Sequence, residues 1–231
     1  MNNVRSLAII MDGNGRWANS NKLERTMGHK KGVEVVRDIS IVAAKSGIEV
    51  LTLFTFSTQN WKRSEKEVSF IMSLPALFFK KYFDDIMANN IKIEFIGFLE
   101  QIPSKTLNVL NDAKQKTANN TGMLLVIAIN YGGQEEIARA MVNYCDDVIN
   151  GKRSNNLVCE EINQYLMCPD IYPLDLIIRT SGEYRISNFL LFQLAYAELI
   201  FIDKPWPLFT GNDLLECINI YNNRQRRFGG Y

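Results

Sequence analysis

Four short stretches carry residue types suited to chemistry on a phosphorylated ligand. In Met11-Asp12-Gly13-Asn14-Gly15-Arg16-Trp17, directly after an apolar run, an acid, an amide, two glycines and an arginine crowd one exit. Glycines one residue apart permit a tight turn that brings backbone N–H groups to a ligand. Arg16 offers a fork of donors matched to phosphate. Asp12 offers a hard oxygen to magnesium, an ion that keeps some waters and shares phosphate oxygens. The competing interpretation is an ordinary Asp-Gly turn with Trp17 as core. Met27-Gly28-His29-Lys30-Lys31-Gly32 begins a helical pattern, where free N–H groups favour an anion, and His29 is the sole histidine. Phe56-Ser57-Thr58-Gln59-Asn60-Trp61-Lys62-Arg63 mixes amides, an aromatic and cations, as a pocket edge would. In the stretch 179–188, Arg179, Arg185 and Ser187 read as an anion clamp, and Asn188 as the cap of a helix over 189–198. Glu198 then sits at a helix end where the dipole disfavours a carboxylate, so a metal or an arginine is expected beside it.

Other chemistries lose support on detail. The G-x-G-x-x-G spacing fails because position 18 is Ala, and no Gly-Lys-Ser/Thr occurs. One histidine without a partner argues against zinc and against a Ser/His/Asp hydrolase. Cys145, Cys159, Cys168 and Cys217 form no C-x-x-C pair and read as reduced thiols. A net charge of +1 implies no long-range basic field, so nucleic acid is not an expected partner. No span of about 20 apolar residues is present, and the first apolar run is too short for a secretory signal. A cytoplasmic protein is expected, one that would visit a membrane surface if its ligand were greasy.

The elements that must position these residues follow a repeating grammar. Apolar runs at 7–11, 48–56, 91–98, 123–129, 174–178 and 199–202 are rich in Leu, Ile and Val on both faces, as in a parallel sheet covered on both sides. Helical patterns at 30–45, 65–87, 104–118, 134–149, 157–166, 188–198 and 212–222 alternate with them. The expectation is one α/β domain over 1–231 with a six-stranded, mostly parallel sheet flanked by helices. Ligand loops then belong at the carboxyl ends of the strands. The 65–87 helix is apolar on more than one stripe, and Pro75 should kink it. It reads either as a buried or dimer-facing helix, or as one wall of a hydrophobic cavity.

The motifs quoted above, with Asn130-Tyr131-Gly132-Gly133 and Ala195-Tyr196-Ala197-Glu198, closely resemble the cis-prenyltransferase family, which includes undecaprenyl diphosphate synthase. The resemblance runs from about Leu7 to Gly230. It implies a homodimeric, magnesium-dependent transferase that condenses isopentenyl diphosphate with an allylic diphosphate, farnesyl or geranyl, making a cis double bond. The expected product is undecaprenyl diphosphate, for cell-wall lipid carrier synthesis. A short, medium, branched or cyclising product and a non-catalytic subunit of a heteromeric synthase are the alternatives. By the same resemblance, Asp12, Asn14 and His29 are catalytic, and Asp12 and Glu198 hold metal. Gly13, Gly15, Arg16, Trp17, Arg25, Ser57, Asn60, Trp61, Arg63, Arg179, Arg185 and Ser187 bind substrate. Thr55, Leu74, Phe78, Phe79 and Phe83 line a tunnel for the growing chain, and the Arg227-Phe228-Gly229-Gly230 segment reaches the neighbouring subunit. Ser6, Gln59, Phe98 and Leu208 depart from the family pattern, where His, an acid, Asp and an acid are usual.

Overall fold

The computed structural model describes residues 4–171 and 173–225. Among them, β1 (Ser6–Ile10), β2 (Val50–Ser57), β3 (Lys92–Ile96), β4 (Leu124–Tyr131), β5 (Leu176–Arg179) and β6 (Glu198–Phe201) form one sheet, in the order β3-β4-β2-β1-β5-β6. Every neighbouring pair is parallel. The strand order turns back on itself at β1, and there Ile10 stands level with Phe54 and with Arg179. The strand exits carrying Asp12, Ser57 and Arg179 therefore meet at one end of the sheet, where open α/β folds place their ligands.

The two faces are covered differently. Leu7, Ile9, Leu51, Leu53, Leu125 and Ile178 point to a core shared with helices α2 (Arg25–Lys45), α3 (Glu65–Ala88), α4 (Ser104–Lys116) and α7 (Gly211–Asn222). Ala8, Ile10, Val50, Val126 and Ile177 point the other way, as a two-residue period requires. That side is packed by Cys168, Ile171, Leu174, Phe189 and Leu190, from irregular segments. A bulge in β2 pairs Phe54 with Ala128 but Phe56 with Ile129, which turns Phe56 into the helix-covered core.

Three expected helices come out differently. Residues 14–20, read as a glycine turn, form α1 (Asn14–Ser20), capped by Gly13 at φ 99°. The second helix begins at Arg25, five residues earlier than expected, so His29 lies in its second turn. Its glycines serve packing. A Cβ on Gly28 would stand 2.0 Å from the Asn14 carbonyl oxygen, and one on Gly32 2.4 Å from Asn14 Oδ1. Segment 188–198 is not a helix, because Ser187, Asn188 and Leu190 hold positive φ, and its residues form turns until Glu198 opens β6. The 157–166 pattern shrinks to α6 (Cys159–Ile162) and a single 3₁₀ turn, while α5 (Gly133–Ile149) follows β4 as expected. Helix α3 runs through Pro75 with Ser64 as its cap. No helix of the described residues is long and apolar enough to cross a membrane.

Candidate functional site

The exit of β1 is tied to that of β5 by a buried arginine. Arg179, only 4% exposed, donates through Nη2 to Asp12 Oδ2 at 2.9 Å and through Nη1 to Ser187 Oγ at 2.7 Å. Its Nη1 also reaches the Arg185 carbonyl, and its Nε is buried without a partner. Asp12 Oδ1 accepts from the Gly13 N–H at 2.6 Å, and Arg16 Nη2 lies 3.3 Å from Asp12 Oδ2. Partial burial works to raise the Asp12 carboxyl, but Arg179, the Gly13 N–H and Arg16 outweigh it and hold it below its ordinary value. Gly13 is required here, because a Cβ would meet Ser181 Oγ at 2.6 Å and Pro205 at 2.7 Å.

A second cluster hangs on one acid. Glu67, on α3 and buried, takes Arg25 Nε at 3.3 Å, Arg63 Nη1 at 2.9 Å and His29 Nε2 at 3.3 Å. Burial works to raise the Glu67 carboxyl, and Arg63, Arg25 and His29 together bring it below the usual range. The same burial pushes the His29 imidazole down, opposed by Glu67 and reinforced by Arg63 and Arg25. Glu67 escapes a sequence reading because Ser64-x-x-Glu67 looks like a capping box and nothing more.

Both clusters line one cavity of about 440 Å³, inside the roughly 300–1,000 Å³ range of small-molecule sites. Asp12, Gly13, Asn14, Gly15, Arg25, His29, Ser57, Asn60, Arg63, Arg179, Arg185 and Ser187 all face it. So does Trp206, not foreseen, whose indole N–H donates to the Gly32 carbonyl. The same lining holds Thr55, Leu74, Phe78 and Phe79, as expected, with the apolar Val33, Val36, Ile71 and Phe95. The expected residues Arg16, Trp17, Trp61, Phe83 and Glu198 stand outside the lining. Arg16, half exposed beside Asp12, donates to the Ser181 carbonyl and pairs with Glu183. Trp61 donates to Asn130 Oδ1 and packs on Phe56. Phe83 lies against Lys116 of α4. Glu198 pairs with Arg224 at 2.6 Å, at the strand end opposite the cavity, since it is level with Leu176 and Leu7. The Arg227–Gly230 segment lies outside the described residues.

Among the described residues no three acids, histidines or cysteines converge on one point. A metal caged by protein does not fit. A magnesium ion with one carboxylate, waters and phosphate oxygens does, because Asp12 keeps acceptor capacity beyond its present bonds. Asn14 Oδ1, buried without a partner, is a further acceptor at the start of α1.

Residues 10–229 match the family model described as putative undecaprenyl diphosphate synthase. An isoprenyl transferase of Staphylococcus saprophyticus is 48% identical over 97% of this chain and 89% of its own length. The ditrans,polycis-undecaprenyl-diphosphate synthase of Micrococcus luteus, specific for (2E,6E)-farnesyl diphosphate, is 44% identical over 98% of this chain and 91% of its own. Lavandulyl diphosphate synthase from Lavandula x intermedia, solved with dimethylallyl diphosphate, superposes with a TM-score of 0.94 at 32% identity over 99% of both chains. A probable undecaprenyl diphosphate synthase from Campylobacter jejuni gives 0.82 at 31% identity over the full length of both. The fold and nearly the whole length of the chain are thus shared with these proteins, and the chain belongs to the cis-prenyltransferase family, condensing isopentenyl diphosphate with an allylic diphosphate.

Proposed function

We propose that this chain makes a short- to medium-chain prenyl diphosphate in that one cavity. Support comes from a single arrangement: two cationic clusters and a group of apolar and aromatic side chains lining the same cavity. Phe78 and Phe79 stand edge to face at 5.1 Å, and Phe79 and Phe95 at 6.3 Å. Arg25, His29, Arg63 and the α1 start with Gly13 and Gly15 hold the allylic diphosphate in this reading. Arg179, Arg185 and Ser187 hold the isopentenyl diphosphate head, and Ser57 and Asn60 edge the pocket. Magnesium bound with Asp12 would neutralise the departing diphosphate.

The residues divide the remaining work. Departure of diphosphate with its electron pair leaves an allylic cation-like centre, which the alkene of isopentenyl diphosphate attacks. The adduct then loses a proton to an oxygen of the departed diphosphate, and Asn14 orients the group that loses it. The alkene is the nucleophile and none is required of the protein, so holding the two substrates together and excluding water carry the catalysis. Arg16 and Trp17 support the α1 start, and Trp61 supports the Ser57–Asn60 edge. Glu198 is reserved for a metal shared through a second copy, as a homodimer would allow.

Purified chain, given isopentenyl diphosphate and magnesium with either geranyl or farnesyl diphosphate, tests this directly. Mass and NMR analysis should show cis products well below eleven isoprene units. Undecaprenyl diphosphate as the main product would overturn the length, a branched or cyclic skeleton the linear course, and inactivity of the chain alone the catalytic assignment.

A further inference from the structure

Ser187 reaches Arg179 from a backbone conformation that has to be held. Ser187 and Asn188 have φ of 50° and 63°, left-handed values that non-glycine residues keep only where the surroundings over-determine them. Asn188 supplies the restraint from outside the cavity. Its carbonyl accepts from the Gly133 N–H at 2.7 Å, its Oδ1 accepts from the Gln134 N–H at 2.9 Å, and its Nδ2 donates to Glu135 Oε2 at 2.9 Å. All three partners lie in the first turn of α5. The residue expected to cap a helix of its own thus caps α5 from a distance.

Glu135 extends the restraint to the other wall. Its second oxygen, Oε1, accepts from Thr58 Oγ1 at 3.1 Å, next to Ser57. One half-buried carboxylate therefore joins the loop of Ser57 and Asn60 to the loop of Arg185 and Ser187. Gly132 makes room for it. A Cβ there would stand 2.2 Å from Glu135 Oε2 and 2.8 Å from Asn188 Nδ2.

We propose that Glu135 and Asn188 are positioning residues, locking Ser187 in the left-handed conformation that sets its hydroxyl on Arg179 and thereby tuning affinity for the second diphosphate. Neither lines the cavity. The identity of that diphosphate rests on the proposed function, whereas the lock can be read without it.

Glu135→Ala removes the acceptor for Asn188 and Thr58, and the KM for isopentenyl diphosphate should rise about tenfold with kcat within about threefold of wild type. Glu135→Gln keeps an acceptor for Asn188 and a donor for Thr58, and should restore KM to within about threefold. Gly132→Ala displaces the side-chain ends of Glu135 and Asn188, so it should reproduce the KM effect with little change in Tm. An unchanged KM in Gly132→Ala and Glu135→Ala, or a loss of Tm that scales with the activity loss in all three variants, overturns the lock. Inorganic diphosphate titrated calorimetrically into wild type and Glu135→Ala separates the two claims. Equal affinity defeats the lock, while weaker binding to the variant, beside a wild type that condenses nothing, supports the lock and defeats the prenyl-transfer reading.

Discussion

Asp12 gives one oxygen to the Gly13 N–H and the other to Arg179 and Arg16, so it organises the site before any ligand arrives. Asp12→Ala removes the only carboxylate among the described residues that line the cavity and leaves Arg179, already carrying an unpartnered Nε, with fewer acceptors. Condensation should fall by at least about a thousandfold, while stability in denaturant drops by only about 1–3 kcal/mol. Turnover near wild type at saturating magnesium would remove Asp12 from the chemistry. The neighbouring cluster makes a pH prediction. Burial, with Arg63 and Arg25, holds the folded His29 below its ordinary 6.5 against the pull of Glu67. Below pH 6.5 the unfolded chain then binds the extra proton, so stability falls as pH drops through 6.5 toward the folded value. Glu67 acts lower, since its depressed carboxyl contributes stability above 4.5 that is lost only as pH falls further. His29 is the sole histidine, so thermal melts between pH 7.5 and pH 5.5, a window of roughly one unit either side of the free imidazole, should show a fall that His29→Gln flattens. An identical profile in the variant would contradict the buried neutral imidazole.

At the scale of elements, apolar run length made all six strands legible, because strands buried on both faces need continuous Leu, Ile and Val. What failed was local chemistry with two readings. Asp-Gly-Asn-Gly looks like a turn, yet Gly13 alone takes the left-handed position and Asn14 already begins α1. Gly28 and Gly32 look like an anion nest, yet they let α1 approach α2 at backbone distance. Leu, Phe and Ala over 189–198 look helical, but the Asn188 contacts with α5 impose positive φ, a tertiary effect no propensity reports. In helix α3 both apolar stripes were legible, and the cavity takes residues from each: Ile71, Pro75 and Phe79 from one, Leu74 and Phe78 from the other. Phe78 is 5% exposed and sits between Phe79 and Tyr82. Phe78→Ala should cost about 3–5 kcal/mol and, by enlarging the apolar part of the cavity, shift products to greater length. Chromatography showing an unchanged distribution in both Phe78→Ala and Phe79→Ala would return α3 to a purely structural role.

For the whole molecule the parallel topology sets a distance that the resemblance alone conceals. Glu198 is level with Leu7, whereas Asp12 follows Ile10, so at least ~10 Å of strand separates the two carboxylates. Within one chain they cannot hold the same ion, and Glu198 is engaged with Arg224 instead. If both acids serve one magnesium, the second must come from another copy, and a closed two-fold dimer supplies it reciprocally. Mixing Asp12→Ala and Glu198→Ala chains after co-refolding decides this. In a mixed dimer the Glu198→Ala chain keeps its own Asp12 and receives Glu198 from its partner, so one site of two is whole. With random pairing, about a quarter of wild-type activity should return from two inactive parents. No recovery, with mixed dimers demonstrated by a tag on one chain, would confine Glu198 to its ion pair with Arg224 and leave Asp12 as the sole protein carboxylate on the metal.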